Sequence, residues 1–196
     1  MNKPYSESCD QNCEPILSVI QPLLSSYKTL LEIGSGTGQH AVYFAEKMPH
    51  LTWQTSDRAE YHSGIQQWLD DAGLPNTKSP LSLDVLKDTW MTQQYDAIFT
   101  ANTLHIMHKK DVEALFKHVN AVLNTGGLLI AYGPFNYKGH YTSESNARFD
   151  DWLKSRDFKS RIKNFEWVNE LATQAGLELK NDYAMPANNR ILCWQK

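Results

Sequence analysis

The stretch KTLLEIGSGTGQH, residues 28–40, decides the fold of this chain. It begins with an apolar run of the length and composition of a strand that is buried on both faces of a sheet. Three glycines follow at alternate positions, Gly34, Gly36 and Gly38. Apolar residues then recur at helical spacing over 41–48, until Pro49 ends the pattern. Strand, glycine loop and helix in this order predict an open α/β sheet that binds a nucleotide-like ligand, because glycines let the backbone approach a ligand and the helix start offers free N–H groups.

The spacing of the glycines narrows the class of ligand. A dinucleotide-binding loop follows G-x-G-x-x-G and holds a pyrophosphate at the helix N-terminus. That pattern needs a glycine where this chain has Gln39, and the chain carries instead G-x-G-x-G with Glu32 two residues upstream. A carboxylate at the end of the strand suits a cation better than a pyrophosphate. A simple tight turn without a ligand and a Rossmann loop that binds NAD remain as alternatives.

Composition limits the class of protein. With 196 residues the chain has the length of one domain. Its 19 Lys and Arg against 22 Asp and Glu give a net charge of −3 without a dense basic block, which disfavours a nucleic-acid partner. No apolar run reaches the ~18 residues of a membrane span, and the first residues lack the apolar core of a secretory signal. We therefore expect a cytoplasmic protein without a membrane partner.

The three cysteines are Cys9, Cys13 and Cys193. Cys9 and Cys13 alone could form half of a metal site, but no second pair of ligands stands at a suitable spacing. We therefore expect free thiols and no metal.

The rest of the chain alternates between strand and helix patterns, which predicts a mostly parallel sheet with helices on both faces. The patterns indicate strands at 51–55, 81–85, 96–100, 128–132, 177–179 and 190–194. They indicate helices at 14–25, 59–72, 112–123 and 168–175, and residues 1–13 are expected to be irregular. We interpret 1–196 as a single domain with an N-terminal cap segment, 1–27.

The segment 135–161 is the least regular part of the chain and is rich in aromatic residues. It leaves the carboxyl end of a central strand, where ligands collect. Long loops in compact domains usually have a function, so we expect this segment to be a lid over the crevice. Tyr137 and Tyr141 of this segment and Asn188 near the C-terminus are candidates for substrate binding, although ordinary packing is the alternative for the aromatic residues.

Two aspartates follow predicted strands. Asp57 lies 23 residues after Gly34, close to the ~20-residue offset at which an acidic residue binds ribose hydroxyls. Asp84, next to Val85, stands at the end of the third strand, where methyltransferases with a similar glycine loop often place an acidic residue beside the adenine amino group. Each aspartate has the alternative role of a helix cap.

The fourth strand runs into ANTLH, residues 101–105, at the carboxyl end of the sheet. If the substrate is a hydroxyl or a thiol, a base is useful, and His105 is the best candidate because its pKa is ordinarily near neutrality. A purely structural histidine is the alternative. Asn102 is a candidate to orient the substrate or to contact the cofactor.

Seven stretches together resemble the family catalogued as domain of unknown function 938, whose animal members are called methyltransferase-like protein 26. They are EIGSGTGQHAVYFAE, PHLTWQTSD, LDV, ANTLHIM, YGPF, SNARFDDWL and MPANN. The resemblance covers nearly the whole chain. It implies the class I fold of S-adenosylmethionine (SAM)-dependent methyltransferases, an α/β, doubly wound, Rossmann-like, mostly parallel seven-stranded sheet whose last hairpin contributes an antiparallel strand. The chain departs from the family pattern at 108–110, where His-Lys-Lys stands in place of Pro or Trp.

The resemblance also implies the cofactor, since the glycine loop is similar to motif I of SAM-dependent methyltransferases. SAM is then the methyl donor and S-adenosylhomocysteine (SAH) the product. The family's opening pattern makes Asn12 a candidate for contact at the cofactor mouth. The full set of expected cofactor contacts is Asn12, Glu32, Gly34, Ser35, Gly36, Gly38, His40, Asp57, Asp84, Val85 and Asn102.

The expected function is methyl transfer from SAM to an unidentified small molecule, with Asn102 and His105 as catalytic candidates. The residues ANTLH after the fourth strand differ from the N-P-P-Y motif, which resembles that of enzymes that methylate adenine or glutamine nitrogens. Two other functions remain open: a SAM-binding module that presents a cofactor-dependent surface to a partner, and an NAD(P)-dependent oxidoreductase. The oligomeric state is left open.

Overall fold

A computed structural model describes residues 3–196. Its centre is a seven-stranded sheet in the order β3-β2-β1-β4-β5-β9-β8. The strands of this sheet are β1 Thr29–Ile33, β2 Thr52–Asp57, β3 Thr77–Ser82, β4 Tyr95–Ala101, β5 Leu123–Gly133, β8 Glu178–Met185 and β9 Asn189–Gln195. Two short strands, β6 Phe135–Asn136 and β7 Lys163–Asn164, pair in parallel beside it.

Helices cover both faces of the sheet. The helices are α1 Glu7–Leu23, α2 Gln39–Lys47, α3 His62–Ala72, α4 Lys109–Val122, α5 Glu144–Arg156 and α6 Phe165–Gln174. Apolar side chains of α1, α2 and α3 pack on one face around Trp53, and those of α4 and α6 pack on the other face around Trp194. Burial of two such layers is the main stabilising contribution to a doubly wound domain.

The topology places a crevice next to β1. This strand pairs in parallel with β2 on one side and with β4 on the other, so the strand order reverses between β1 and β4. Ligands of open α/β sheets bind outside the carboxyl ends of the strands at such a reversal. The antiparallel β9 lies between β5 and β8. The predicted fold class is confirmed.

The first helix begins earlier than its apolar pattern indicates. Residues 7–13 were expected to be irregular, yet α1 begins at Glu7 and contains Pro15 in its interior. Tertiary hydrogen bonds hold this polar first half: Gln39 Nε2 donates to Ser6 O (3.3 Å) and to Asp10 Oδ1 (3.0 Å). Because these bonds come from α2, no local periodicity reveals them.

Two further segments near the crevice differ from the predictions. The third strand was expected at 81–85, but β3 ends at Ser82, so Leu83, Asp84 and Val85 belong to the turn that follows. The segment 135–161 is not irregular, because α5 occupies most of it, with Ser143 Oγ accepting a capping hydrogen bond from Asn146 N–H (3.1 Å). Within the described chain, Asp157 is the one residue of this segment that lines the crevice.

No helix in residues 3–196 combines the length and the apolar character that a membrane span requires.

Candidate active site

The crevice at the carboxyl ends of β1, β2 and β4 has a volume of about 720 Å³, within the ~300–1,000 Å³ range of small-molecule sites. The glycine loop forms one side of it, and residues 101–103 and 106–108 form the other. Residues 83–87 and Asp57 to Arg58 close it at one end, and Ser6, Ser8 and Cys9 of the first helix region border it at another.

The glycine loop is shaped by close packing. Gly34 has φ +76°, and a Cβ on it would lie 2.8 Å from the Thr103 side chain. Gly38 has φ +92°, and its Cβ would lie 3.1 Å from Ile65 Cα in α3. A Cβ on Gly36, also at positive φ, would meet nothing within 4 Å. Gly34 and Ser35 line the crevice together with Gly36, whereas Gly38 lies behind it and lets α2 approach α3.

Asp57 lies where the sequence places it, at the end of β2 in the crevice wall. Its Oδ2 accepts the N–H of Gly36 (2.8 Å), and its Oδ1 accepts the N–H of Arg58 (2.8 Å). Burial raises the pKa of this carboxyl, and the two backbone N–H groups oppose the shift. A carboxylate oxygen can accept two hydrogen bonds, so each keeps capacity for a ligand hydroxyl.

Glu32 was expected among the cofactor contacts, but the structure places it beneath the glycine loop and outside the crevice lining. Its Oε2 accepts a hydrogen bond from Trp53 Nε1 (3.0 Å). Burial raises the pKa of Glu32 to about 7, against the effect of the bonds from Trp53 and Ser35. The group therefore supports the loop from below.

His40 lines the crevice, and Asn12 lies behind it. The Nε2 of His40 is 2.6 Å from Asn12 Oδ1, and its Nδ1 is 4.0 Å from Cys9 Sγ. Burial lowers the pKa of His40 to about 4, so the ring is neutral at pH 7. Asn12 is outside the crevice lining and orients the imidazole, a position that differs from the direct contact expected of it.

Asp84 and Val85 both line the crevice, in the turn after β3. The Oδ1 of Asp84 accepts the N–H of Leu86 (3.1 Å), and its Oδ2 pairs with Lys87 Nζ (3.1 Å). The carboxylate therefore caps its own turn, which was the alternative interpretation, and also faces the cavity.

Asn102 and His105 both belong to the segment that follows β4, and they differ in their exposure to the crevice. Asn102 lines the crevice and has φ +56°. His105 is 6 % exposed and is not among the residues that line the crevice; its ring meets Phe149 edge to face at 5.2 Å. Burial, and next the charge of Lys163, lower the pKa of His105 to about 3. Asn102 Oδ1 and His105 Nδ1 both lie beside Gly133, 3.8 and 3.6 Å from the position that a Cβ on this glycine would take, and of the two residues Asn102 alone lines the crevice. A catalytic role for either residue stays a prediction.

His108, a second histidine in the segment after β4, is not among the site residues that the sequence predicts. His108 Nε2 lies 2.5 Å from Asp157 Oδ2, and both residues line the crevice. His108 is the N-cap of α4, and its side chain also accepts the N–H of Asp111. The only sequence signal was the departure from the family pattern at 108–110. Ser8 and Cys9 of α1 also line the crevice. The sequence does not predict them as contacts, because it predicts an irregular segment at 1–13.

The three candidates for substrate binding lie outside the crevice lining. Tyr137 stacks on Phe165 at 5.1 Å and donates its hydroxyl to Asp182 Oδ2 (2.8 Å). Tyr141 donates to Asp150 Oδ2 (2.7 Å). The backbone oxygen of Asn188, a residue with φ +58°, accepts from Asn146 Nδ2 (3.2 Å). The bond of Asn146 to Asn188 joins α5 to the β8–β9 hairpin. A role of the three residues in binding stays a prediction.

Among residues 3–196, no group of three or more His, Cys, Asp or Glu side chains is placed to hold a metal ion.

Solved structures of methyltransferases share this fold. An O-methyltransferase family protein from Burkholderia thailandensis superposes with a TM-score of 0.85 at 15% identity, covering 97% of this chain and 57% of that one. Human N-acetylserotonin methyltransferase in complex with SAM gives 0.80 at 15%, covering 97% and 53%. A Planctomyces limnophilus O-methyltransferase family 2 protein in complex with apigenin gives 0.76 at 19%, covering 89% and 52%. The chain spans little more than half the length of these proteins, and at such identities the likeness concerns the fold, that of the class I SAM-dependent methyltransferases.

A family model described as "Protein of unknown function (DUF938)" matches residues 3–196, nearly the whole sequence. The match agrees with the family that the seven sequence stretches indicate. The chain belongs to the DUF938 family.

Proposed function

We propose that this protein is a SAM-dependent methyltransferase that acts on a small molecule in the cytoplasm. The observation that carries the proposal is the position of Asp57: its carboxylate faces the crevice at the end of β2 and is tied to the glycine loop through the N–H of Gly36. An acidic side chain there is suited to a ribose diol. The fold shared with SAM-binding proteins supports the proposal.

The residues of the crevice fit the parts of this cofactor. Asp57 would bind the ribose, and Asp84 with Val85 would border the adenine. The glycine loop, Gly34 to Thr37, and the neutral ring of His40 would border the methionine portion. The volume of about 720 Å³ accommodates a cofactor and a small acceptor together.

Bound SAM supplies a methyl group on a sulfonium, which a nucleophile displaces in line. The contribution of this chain is to align the acceptor and to exclude water, and alignment alone can supply ~7–11 kcal/mol of a barrier. Asn102, in the wall of the crevice, is placed to orient the acceptor. His105 is buried and is not among the residues that line the crevice, so we assign it a packing role and route no proton through it.

Calorimetry with SAM, SAH and NAD tests the cofactor class. We expect SAM and SAH to bind and NAD not to bind. Asp57→Ala should weaken SAH binding at least about tenfold, since a charge-assisted hydrogen bond contributes ~1.5–3 kcal/mol. Asp70→Ala is the matched control, because Asp70 lies on the exposed side of α3 and bonds to Gln66. Binding of NAD alone, or equal SAH affinity in the two variants, would refute the proposal.

A second candidate is a SAM-binding module without catalysis. The observation that favours it is the separation of His105 from the crevice, with a pKa of about 3 that makes its ring a weak base. Turnover assays for SAH release with amine, thiol, phenol and carboxylate acceptors distinguish the two. SAH release with one acceptor class supports the enzyme. SAM binding without release across the panel supports the module.

A further inference from the structure

An exposed surface of basic and aromatic side chains borders the crevice on the side away from Asp57. We define this basic–aromatic surface as Arg156, Phe158, Lys159 and Arg161. Phe158 is 73 % exposed, the largest exposed fraction among the large apolar side chains of the described chain. The ammonium of Lys159 lies 5.4 Å from the centroid of the Phe158 ring. Such a pair presents a flat apolar face and a positive charge together.

Hydrogen bonds fix this surface to the crevice wall. Ser160 Oγ donates to the backbone oxygen of Ile106 (2.7 Å), and Arg161 N–H donates to that of His105 (3.0 Å). Ile106 lines the crevice and is 59 % exposed, so it presents an apolar side chain at the crevice rim. Asp157, next to Phe158, lines the cavity as well.

The basic charges of this surface exceed its acidic ones. Its nearest carboxylate, Asp157, already accepts bonds from His108 Nε2 (2.5 Å) and from Lys159 N–H (3.0 Å). At the opposite end of the crevice, the basic side chains are paired, Arg58 with Glu60 (3.3 Å) and Lys87 with Asp84 (3.1 Å). The crevice therefore has an acidic end at Asp57 and Asp84. On its other side the lining carries Asp111 and Asp157, both bonded to His108, and the basic side chains of 156–161 form a basic border just outside the lining.

We propose that the methyl acceptor is a flat, apolar small molecule with a negative charge, whose ring packs on Ile106 and Phe158 and whose anionic group faces Lys159 and Arg161. This inference rests on the proposed function, because it assigns the acceptor's end of the same crevice. The acidic end then receives the cationic cofactor, and the basic border selects the acceptor. A single-stranded nucleic acid has related chemistry, but its binding usually needs a basic groove that follows the backbone over ~4–16 nucleotides, whereas this border has three basic side chains.

Three indole probes of matched size test the charge preference: indole-3-propionate, indole-3-propionamide and tryptamine. Binding is measured by ligand-observed NMR titration, with protein that has been incubated with excess SAH. We expect indole-3-propionate to bind about fivefold more tightly than the amide, and tryptamine to bind most weakly, since exposed charge contacts contribute only modestly to affinity. Raising the salt to about 1 M, where the Debye length is ~3 Å, should reduce the preference.

Variants assign the preference to this surface. Lys159→Gln with Arg161→Gln should bring the propionate to the affinity of the amide. Phe158→Ser should weaken all three probes about threefold and leave their order unchanged. The matched control is the double variant Lys78→Gln with Lys180→Gln, whose residues lie on β3 and β8 and outside the crevice lining. It should leave the affinities of the three probes unchanged.

Several results would overturn the inference: tryptamine binding as tightly as the propionate, no binding of any probe, an unchanged preference in the Lys159/Arg161 double variant, or a ten-residue oligothymidylate that binds more tightly than the propionate. SAH calorimetry on the same protein separates this outcome from failure of the proposed function. If SAH does not bind while the propionate preference and its loss in the double variant persist, the cofactor assignment fails and the anion site stands.

Discussion

The two long walls of the crevice are built in different ways. The glycine-loop wall takes its shape from glycines at positive φ, Gly34 and Gly38, and is bonded to the neighbouring strand β2 through Ser56 and Asp57. The segment 105–108, of which Ile106, Met107 and His108 line the opposite wall, is held from outside by a supporting segment, residues 157–163. Each of its four residues has one partner there: His105 O with Arg161 N (3.0 Å), Ile106 O with Ser160 Oγ (2.7 Å), Met107 O with Lys163 Nζ (2.7 Å) and His108 Nε2 with Asp157 Oδ2 (2.5 Å).

The two walls differ in what their conformation depends on. The first depends on the conformations of its own glycines, and the second depends on a segment that is distant in the sequence. A backbone shaped by glycines keeps its conformation wherever those φ angles and contacts are allowed. A wall held by four bonds, each contributing ~1 kcal/mol, keeps its conformation only while the segment that supplies them is folded. We therefore expect the first wall to respond to changes in side-chain volume and buried charge, and the second to respond to the loss of single hydrogen bonds some 50 residues away in the sequence.

The largest effect is expected in the glycine-loop wall, from Gly38→Ala. The new Cβ would lie 3.1 Å from the backbone of Ile65, at φ +92°. Left-handed backbone costs ~1–2 kcal/mol for a non-glycine residue, and overpacking adds ~1–3 kcal/mol. We expect a loss of about 4 kcal/mol in the free energy of unfolding, measured with urea. Gly73→Ala, at φ +58° with open space around its Cβ, is the control and should lose about 1 kcal/mol. Equal losses would show that α3 does not restrict the loop.

Glu32→Gln tests the buried charge beneath the same wall. The folded-state pKa of Glu32 is raised to about 7 from an ordinary value near 4.5, so the folded chain holds a proton that the unfolded chain has released between these values. Its contribution to stability is present at low pH and is lost as the pH rises to 7, by about 3 kcal/mol in total. The glutamine variant lacks this loss. Urea unfolding of both proteins between about pH 5 and pH 8 should show the variant gaining relative stability as the pH rises.

The histidines do not obscure this comparison. Burial lowers the pKa of His40 to about 4 and that of His105 to about 3, so their contribution rises with pH, opposite to that of Glu32. Both histidines are present in wild type and variant, so their effect cancels in the difference between the two proteins. A difference that stays constant with pH would mean that Glu32 is charged throughout.

The same division explains what could be predicted from the sequence. The strand and helix order, the glycine loop and Asp57 followed from patterns over a few residues, since strand ends in a parallel sheet meet at one edge. The side of the wall that His105 faces depends on a turn in which Ile106 N–H and Met107 N–H both donate to Thr103 O (3.0 Å each). No periodicity signals such a turn, so the sequence alone does not indicate that His105 lies outside the crevice lining.

The residues that hold the second wall could not be predicted from the sequence either. His108 and Asp157 are 49 positions apart, and the bond between them depends on α5, which was expected to be irregular. The helix has a weak apolar stripe, and its position is fixed by polar contacts such as that of Asp150 with Ile162. Long-range polar contacts of this kind leave no pattern in a single sequence.

Asp150→Ala should loosen the supporting segment. Asp150 is buried, and its Oδ1 accepts the N–H of Ile162 at 2.6 Å. Without it that buried N–H has no partner, which costs about 2 kcal/mol. Hydrogen exchange should quicken at Ile162 and at residues 105–108, and should stay unchanged at residues 34–38. Asp151→Ala, whose side chain is 79 % exposed, is the control and should change stability by less than about 0.5 kcal/mol. Faster exchange in both walls would contradict their independence.

The smallest effect is expected from Ser160→Ala, which removes one of the four bonds to the second wall. Ser160 is buried, and its hydroxyl is 2.7 Å from the oxygen of Ile106. Loss of one such bond costs about 1 kcal/mol. Because three other bonds remain, the wall should keep its place, and SAH affinity should change less than about twofold, below 0.4 kcal/mol.

Ser155→Ala is the matched control for this last variant, since its hydroxyl bonds within α5 to Trp152 O (2.7 Å) and touches no part of the crevice. Urea unfolding of the two serine variants measures the stability that the lost bond contributed. SAH calorimetry on the same variants shows whether the wall has moved. If Ser160→Ala weakened SAH binding tenfold, the four bonds would act as one cooperative unit, and the second wall would be a two-state element that the supporting segment controls. A stability loss of about 1 kcal/mol with unchanged affinity shows four independent contacts on a wall that already fits its ligand.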